Sequence, residues 1–314
     1  MLNSERKQYY LDQEKFKTFD SGTMINIKKT INIFSNYENV IDKDICDWTI
    51  AEIKEALISV NSKSSGTIKN YISHLKDYTD WCINNKLSNI NQNNFNNITM
   101  DIIDSVINKT LIKMQLITRD QLLNKISLLL NARDKFLLLA LYEGIGGYGK
   151  GLCEIIEIKN NDINHEKKTV KLCTGREFKM SNDLYQFAIE SIGATEYYAR
   201  KSNITEDDYV VKYKRNEDDV DHVYWALSKG NVDDKQGGIL QTIKRINVLT
   251  GLKTMTTKSY IRAGRYWYVK SRADAAGLSM VEYEREHKDE VDNIYGKMSI
   301  ATRCNWYDFL RRQE

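Results

Sequence analysis

Apolar residues recur at helical spacing along most of this 314-residue chain, and only short central segments alternate in the way that strands do. The clearest helical stripe lies in residues 67–84, and Ser64 and Ser65 just before it are candidate N-caps. Strand-like alternation occurs in residues 169–173 and 209–213. This order of elements predicts a mainly α protein with a small β-sheet.

A second block of the chain begins at Thr118, where Thr118-Arg119-Asp120-Gln121 forms a capping-box pattern. Before it, residues 24–114 contain a series of helical segments. The chain is long enough for two domains that each bury a core. We therefore predict an N-terminal helical domain over residues 1–115 and a second domain over residues 116–314.

The composition is that of a soluble globular protein, with 41% apolar residues, 28% charged residues and a mean hydropathy of −0.54. The sequence has no run of about eighteen apolar residues that could span a membrane, and its polar start is unlike a secretory signal peptide. The five cysteines are odd in number and lack metal-ligand spacing. We therefore expect a cytoplasmic protein with reduced, mostly buried thiols, no bound metal and no other cofactor.

The net charge of +3 is too small to indicate a nucleic-acid partner by itself, but the basic residues are unevenly distributed. Residues 253–272 contain six basic side chains and no acidic one. Aromatic residues among them, such as Tyr266 and Trp267, could stack on bases, although core packing is the more common role in an amphipathic helix. The charge pattern fits either a solvated helix face or a phosphate-binding surface.

Two segments near the C-terminus carry the most specific pattern in the chain. Residues 259–265 read Ser-Tyr-Ile-Arg-Ala-Gly-Arg, and residues 295–307 read Tyr-Gly-Lys-Met-Ser-Ile-Ala-Thr-Arg-Cys-Asn-Trp-Tyr. They resemble the tyrosine recombinase (phage integrase) family, in which the first segment is His-x-Leu-Arg-His and the second is Leu-Gly-His, a short helix and a nucleophilic tyrosine. The chain also resembles the integrase-like master repressors of SPβ-type prophages.

Two further segments support this resemblance. Residues 65–81 resemble the family's helical core-binding domain, and residues 133–163 resemble the entry to its catalytic domain, where Glu154 and Asp162 are kept. The resemblance extends over residues 24–307. It implies the two-domain integrase fold, in which the domains close around a DNA duplex as a C-shaped clamp.

The resemblance also implies a catalytic apparatus, most of which this chain replaces. In the family, two arginines clamp the scissile phosphate, a lysine and two histidine-type donors assist, and a tyrosine attacks phosphorus. The replaced positions are Gly151 for the first arginine, Ser259 and Lys297 for the two histidines, and Trp306 for the tyrosine. Arg262 matches the second arginine outright. The hairpin lysine has no clear equivalent, because Gly175-Arg176 occupies a shortened turn.

These replacements predict a protein that binds DNA like a recombinase but does not cut it. Tyr307 lies one residue beyond the nucleophile position, which is a rotation of about 100° on a helix. A one-residue insertion would restore the register, so one alternative is a divergent active recombinase that uses Tyr307. A second alternative is a protein-interaction module that has lost DNA binding.

The favoured hypothesis is a sequence-specific double-stranded DNA-binding protein, a phage or prophage transcriptional repressor. It would act at operator sites in the phage or host genome and associate with the nucleoid of a bacterial host. Lysines and arginines would contact phosphates, and helices in the major groove would read bases. The predicted DNA-contacting residues are Lys63, Lys69, Lys150, Arg176, Lys258, Arg262, Arg265 and Lys297. Self-association of the chain is left open.

Overall fold

A computed structural model describes residues 3–13, 19–147, 152–200, 210–215, 220–225 and 232–297 of the chain. Four residues singled out by the sequence lie outside the described residues, namely Lys150, Gly151, Trp306 and Tyr307. The chain divides into two compact units, Met1–Ile112 and Lys113–Glu314.

The first unit is helical throughout its described part. Its helices are α1 (Asn3–Leu11), α2 (Ser21–Ile41), α3 (Ile50–Ser59), α4 (Ser65–Asn84) and α5 (Met100–Val106). Helix α6 (Lys109–Met114) includes the boundary residues of the two units. Short 3₁₀ turns lie at Ile45–Asp47 and Asn94–Asn97.

Helix α4 forms because the sequence gives it a cap and one apolar face. The Ser64 hydroxyl accepts a hydrogen bond from the Thr67 backbone N–H at 3.3 Å. The residues of the apolar face that have 0% exposure are Ile68, Leu75, Tyr78 and Cys82. The helix predicted over residues 67–84 is therefore confirmed, and Lys69 is exposed on its opposite face.

The second unit combines helices with short strands. Its helices are α7 (Arg119–Ile126), α8 (Ala132–Glu143), α9 (Cys153–Ile156), α10 (Asn182–Gly193), α11 (Val232–Leu249), α12 (Thr257–Ala276), α13 (Met280–Glu286) and α14 (Lys288–Tyr295). Its strands are β1 (Ile163–Asn164), β2 (Thr169–Lys171), β3 (Glu177–Lys179), β4 (Glu196–Arg200) and β5 (Val210–Lys214). A 3₁₀ turn at Asn160–Asp162 precedes β1.

The core of the second unit is built around α8. Phe136 and Leu137–Leu141 are each 0% exposed, so this helix is apolar on all sides rather than along one stripe. Helices α10 and α12 pack against it. The predicted capping box that opens α7 is confirmed, since Thr118 and Gln121 bond each other's backbone N–H groups.

The strands form two small antiparallel sheets. In the first, β1, β2 and β3 are neighbours in that order, and Val170 lies opposite Phe178. In the second, β4 pairs with β5, and Tyr197 lies opposite Tyr213. Strand β4 was not predicted because its sequence, Glu-Tyr-Tyr-Ala-Arg, does not alternate. The mainly α fold with small sheets is confirmed, and no helix in the described parts of the chain is long and apolar enough to cross a membrane.

Candidate nucleic-acid interface

Helix α12 carries the first of the two recombinase-like segments, and a local cap fixes its start. The Thr256 hydroxyl accepts a hydrogen bond from the Ser259 backbone N–H at 3.2 Å and lies 2.9 Å from the Ser259 hydroxyl. Ser259 is only 4% exposed, so its hydroxyl belongs to the helix cap rather than to the surface. Gly264 lets α12 rest directly on α8, because a Cβ there would lie 1.6 Å from the Tyr142 carbonyl oxygen.

Three cations occupy one stripe of α12, but their surroundings differ. Lys258, Arg262 and Arg265 follow one another at i, i+4 and i+7, which places them on the same side of a helix. Lys258 and Arg262 are exposed, whereas Arg265 is 2% exposed. Only the first two therefore present their charges to solvent, where a phosphate could reach them.

The guanidinium of Arg265 is occupied inside the second unit. Its Nε donates to Glu284 Oε1 at 2.7 Å, its Nη2 to Asp292 Oδ1 at 2.9 Å, and its Nη1 to the Gly296 carbonyl at 2.7 Å. Glu284 and Asp292 come from α13 and α14, which pack over this part of α12. The prediction that Arg265 contacts DNA is therefore wrong, because the side chain is buried between two carboxylates.

The second recombinase-like segment is held at the end of α14. A Cβ on Gly296, whose φ is 86°, would lie 2.5 Å from the Gly147 carbonyl oxygen, so the two backbone segments can approach closely only with glycine here. Lys297 follows directly and is exposed. Arg265 donates to the Gly296 carbonyl, so the backbone immediately before Lys297 is tied to α12, the helix that carries Arg262.

Arg176, in the turn between β2 and β3, fastens the same region from another direction. Its Nε and Nη2 donate to Glu154 at 2.7 Å and 2.8 Å. The same side chain donates to the Gly144 carbonyl at 2.9 Å and to the Ile294 carbonyl at 3.0 Å. The prediction that Arg176 contacts DNA is corrected, since its donors are already engaged by the loop after α8, the start of α9 and the end of α14.

Glu154 is the buried anchor of this arrangement. Its side chain is 0% exposed and also accepts hydrogen bonds from Thr174 Oγ1 at 2.6 Å and from the Gly146 N–H at 2.9 Å. Burial alone would raise the pKa of Glu154, but the hydrogen bonds from Arg176 and Thr174 outweigh it and hold the pKa below its ordinary value. The sequence held a signal for this partner, because an acid inside a strongly apolar stretch requires a cation.

The predicted basic residues of the first unit lie at the start of α4. Lys69 is exposed on the polar face of the helix, and Lys63 is half-buried immediately before the Ser64 cap. The predicted positions at Lys150, Gly151, Trp306 and Tyr307 fall outside the part of the chain that the structure describes.

The cysteines are more varied in exposure than the sequence predicted. Cys46 and Cys82 are buried, Cys153 is half-buried and Cys173 is exposed, so the expectation of mostly buried thiols is wrong for Cys173.

One cluster of possible metal ligands lies in the first unit. Asp44, Cys46 and Cys82 bring one carboxylate and two sulfur atoms within 4.8 Å of one another, although their sequence spacing gave no hint of it. Arg6 Nη1 lies 3.1 Å from the Asp44 carboxylate and 3.6 Å from the Cys46 sulfur. Tyr78 donates to the same carboxylate. A metal cation would have to displace the Arg6 guanidinium, so we interpret this cluster as a buried ion pair between Arg6 and Asp44.

Comparison with known proteins gives two matches to one family. Residues 1–84 match the family model described as MrpR, N-terminal core-binding domain, and residues 116–307 match MrpR, C-terminal catalytic domain. The chain is 24% identical over 284 residues to the SPbeta prophage-derived uncharacterized protein YopR of Bacillus subtilis (strain 168), covering 85% of this chain and 81% of that protein.

A solved structure, the crystal structure of XerA recombinase, aligns with 99% of this chain and 97% of its own chain at 12% identity and a TM-score of 0.37. The family assignment rests on the two domain matches. They follow the predicted order of a core-binding domain before a catalytic domain, and the resemblance to tyrosine recombinases is confirmed.

Proposed function

Because the chain belongs to the MrpR family, with the family's core-binding and catalytic domains in that order, we propose that it binds double-stranded DNA without cutting it. The observation that supports this proposal is which residues occupy the recombinase positions on α12 and at the end of α14, and whether they are exposed. Arg262 presents an exposed guanidinium, Ser259 is buried in a helix cap, and an exposed lysine, Lys297, replaces a histidine.

Binding is supported by the charges that remain at the surface. Lys258, Arg262 and Lys297 are exposed on adjoining segments, which Arg265 ties together through the Gly296 carbonyl. Such cations bind the DNA backbone by neutralising phosphates and releasing condensed counterions, a contribution that does not depend on base sequence. A rigid support keeps several phosphate contacts in register.

Cleavage is disfavoured because several of its chemical steps lack a suitable group. An arginine clamp binds the two phosphate oxygens with a planar fork, which the lysine next to the first clamp position, Lys150, cannot reproduce. Arg176 sits in the hairpin turn but is bound to Glu154, and a guanidinium does not give up its proton in proteins. Each such group typically contributes orders of magnitude to a rate, so their joint loss removes efficient cutting.

The finer part of the proposal is that the chain represses prophage transcription from specific operators. Two points support this: the chain is similar over most of its length to a prophage-derived protein, YopR, and we propose that it binds DNA without cutting it. Base-specific contacts would come from helices in the major groove, and the exposed face of α4 with Lys69 is one candidate.

Two experiments test the proposed absence of cleavage and the proposed repression separately. A nicked duplex carrying phage sequence traps a covalent protein–DNA complex if a tyrosine attacks, so a shifted band that survives denaturation would establish an active recombinase instead. Immunoprecipitation of bound genomic DNA followed by sequencing tests repression. A shared motif upstream of phage genes supports it, one site at an attachment locus would indicate recombination, and no enrichment would contradict DNA binding.

A further inference from the structure

Two cysteines of the second unit are held side by side by their neighbours in the sequence. Glu154 Oε1 accepts a hydrogen bond from Thr174 Oγ1 at 2.6 Å, so the start of α9 and the β2–β3 turn are in direct contact. Cys153 immediately precedes Glu154, and Cys173 immediately precedes Thr174. Consistent with this placement, the Cys153 and Cys173 thiols are close enough to interact with each other.

The β2–β3 turn is firmly fixed, so this proximity is built into the fold. The Leu172 carbonyl accepts from the Gly175 N–H at 2.8 Å, and the Leu172 N–H donates to the Arg176 carbonyl at 2.9 Å. Arg176 then binds Glu154 with two of its nitrogens. Two thiols that are already held together lose little conformational freedom when a bond forms between them.

The pair is also accessible, unlike the other thiol pair in the described chain. Cys173 is exposed and Cys153 is half-buried, whereas Cys46 and Cys82 are both 0% exposed. A small oxidant in solution can therefore reach the Cys153–Cys173 pair while the folded first unit shields the other.

We propose that Cys153 and Cys173 form a redox-active dithiol, which a low-molecular-weight disulfide converts into an intramolecular disulfide. This inference goes beyond the proposed DNA binding and does not depend on it. The reaction is thiol–disulfide exchange, in which the two protein thiols are oxidised and one molecule of the small disulfide is reduced to two thiols.

The order of the two steps follows from the surroundings of Cys173. Partial burial of its sulfur, the neighbouring Cys153 thiol and the carboxylates of Glu157 and Glu154 raise the pKa of Cys173 to about 12. Cys173 therefore keeps its proton at neutral pH, and we assign the first attack to the Cys153 sulfur.

In the first step the Cys153 sulfur attacks one sulfur of the small disulfide, forms a mixed disulfide and expels a small thiolate, which takes up the proton that the Cys153 thiol gives up. In the second step Cys173 loses its proton, its sulfur attacks the Cys153 sulfur, and the second small thiolate leaves and is protonated. The resulting bond joins the start of α9 to the β2–β3 turn, which also carries Arg176.

The test uses the full chain with Cys304→Ser, because Cys304 lies outside the described residues. The protein is incubated with oxidised glutathione at neutral pH, quenched with acid, and analysed by intact mass and peptide mapping. We expect the loss of two hydrogens and a Cys153–Cys173 peptide cross-link, with Cys46 and Cys82 remaining reduced as an internal control. An unchanged mass, stable glutathione adducts on both cysteines, or a cross-link between other cysteines would overturn the proposal.

Two single variants test the assigned order. In the same background, Cys173→Ser should retain one glutathione on Cys153, because the second step is blocked. Cys153→Ser should take up no more than about a tenth as much in the same time, since burial and the carboxylates of Glu157 and Glu154 still raise the pKa of the remaining Cys173 thiol. The reverse pattern would overturn the order. The mass readout is independent of whether the chain binds DNA, so it fails or succeeds separately from the proposed function.

Discussion

Arg176 and Glu154 are joined by two parallel hydrogen bonds, Nε to Oε1 at 2.7 Å and Nη2 to Oε2 at 2.8 Å, inside the second unit. This pair holds together segments that carry the recombinase-like motifs of the chain. The guanidinium also binds carbonyls of the loop after α8 and of α14, so one side chain joins three segments that carry family motifs. Glu154 is thus paired with Arg176, whereas Arg262 lies exposed on α12.

The first prediction follows from that pair. Arg176→Leu should lower the free energy of unfolding by about 3–5 kcal/mol, because it leaves a buried carboxylate without its cation. Chemical denaturation at neutral pH measures the change. Lys179→Leu, at an exposed position on β3 in the same hairpin, is the matched control and should change stability by less than about 0.5 kcal/mol. Equal effects of the two substitutions would show that the pair is unimportant.

The second prediction is a pH dependence with a definite sign. The pKa of Glu154 in the folded chain is below its ordinary value of 4.5, so the folded state favours the ionised carboxylate more than the unfolded state does. This contribution to stability is present above about pH 4.5 and is lost as the pH falls through the lower folded value. Glu154→Gln should therefore be less stable at neutral pH and should lose less of its remaining stability in acid.

Glu143 provides a control of the opposite sign. Burial raises its pKa in spite of hydrogen bonds from Ser181 and Arg119, so its contribution to stability declines as the pH rises between the unfolded and folded values. Glu143→Gln should leave the acid-induced loss unchanged or steeper. Denaturation midpoints between about pH 3 and pH 7 compare the variants, and parallel curves for wild type and Glu154→Gln would refute the assignment.

Local signals in the sequence predicted many of the helices well. The Ser64 cap and the apolar stripe that follows it gave α4, and the Thr118–Gln121 box gave the start of α7. These features depend only on residues that are close in the sequence, so a single sequence is enough to identify them. Residues 100–114 form two helices, α5 and α6, because the Asn108 side chain between them accepts from the Leu111 N–H at 2.9 Å and caps the second helix.

The candidate site was harder to predict because the exposure of each cation depends on segments that are distant in the sequence. Lys258, Arg262 and Arg265 share one stripe, and periodicity alone assigns them one environment. Arg265 is buried because α13 and α14 fold back over the middle of α12 and bring Glu284 and Asp292 to it. The role of Arg176 similarly required knowing that the β2–β3 turn meets Glu154.

The third prediction concerns the contact between α12 and α8. Gly264→Ala should destabilise the second unit by at least about 2 kcal/mol, because its Cβ would lie 1.6 Å from the Tyr142 carbonyl oxygen and the helices would have to separate. Gly238→Ala is the control, since a Cβ there meets nothing within 4 Å. Alanine in helix α11 should stabilise the chain by about 0.5–1 kcal/mol. Thermal melting of both variants measures the difference, and a neutral Gly264→Ala would contradict the close packing.

The fourth prediction concerns chemistry rather than folding. Tyr307→Phe should leave DNA affinity and biological function within a few-fold of the parent, because we propose that no phosphotyrosine forms. The measurements are binding to a phage duplex and complementation in a lysogen. Loss of function with intact binding would identify Tyr307 as a nucleophile and would favour an active recombinase over the proposed repressor.

The last prediction separates surface and buried arginines on one helix stripe. Arg262 is exposed and, under the proposed function, it anchors a backbone phosphate. Arg262→Ala should weaken binding by roughly ten- to a hundredfold, since a hydrogen bond to a charged group contributes about 1.5–3 kcal/mol. Specific and non-specific duplexes should be affected alike, because a phosphate carries no sequence information. The slope of log affinity against log salt should shrink by about one, with little change in melting temperature.

Arg265 is the matched control, three residues further along the same stripe. It is 2% exposed and bonded to Glu284 and Asp292, so Arg265→Ala should lower the free energy of unfolding by about 3–5 kcal/mol. Where the protein is still folded, its salt slope should match the parent's, because no phosphate contact has been removed. Fluorescence anisotropy at several salt concentrations and one thermal melt decide between the two roles. An unchanged salt slope for Arg262→Ala, combined with a lower melting temperature, would make Arg262 a structural residue and remove it from the proposed DNA interface.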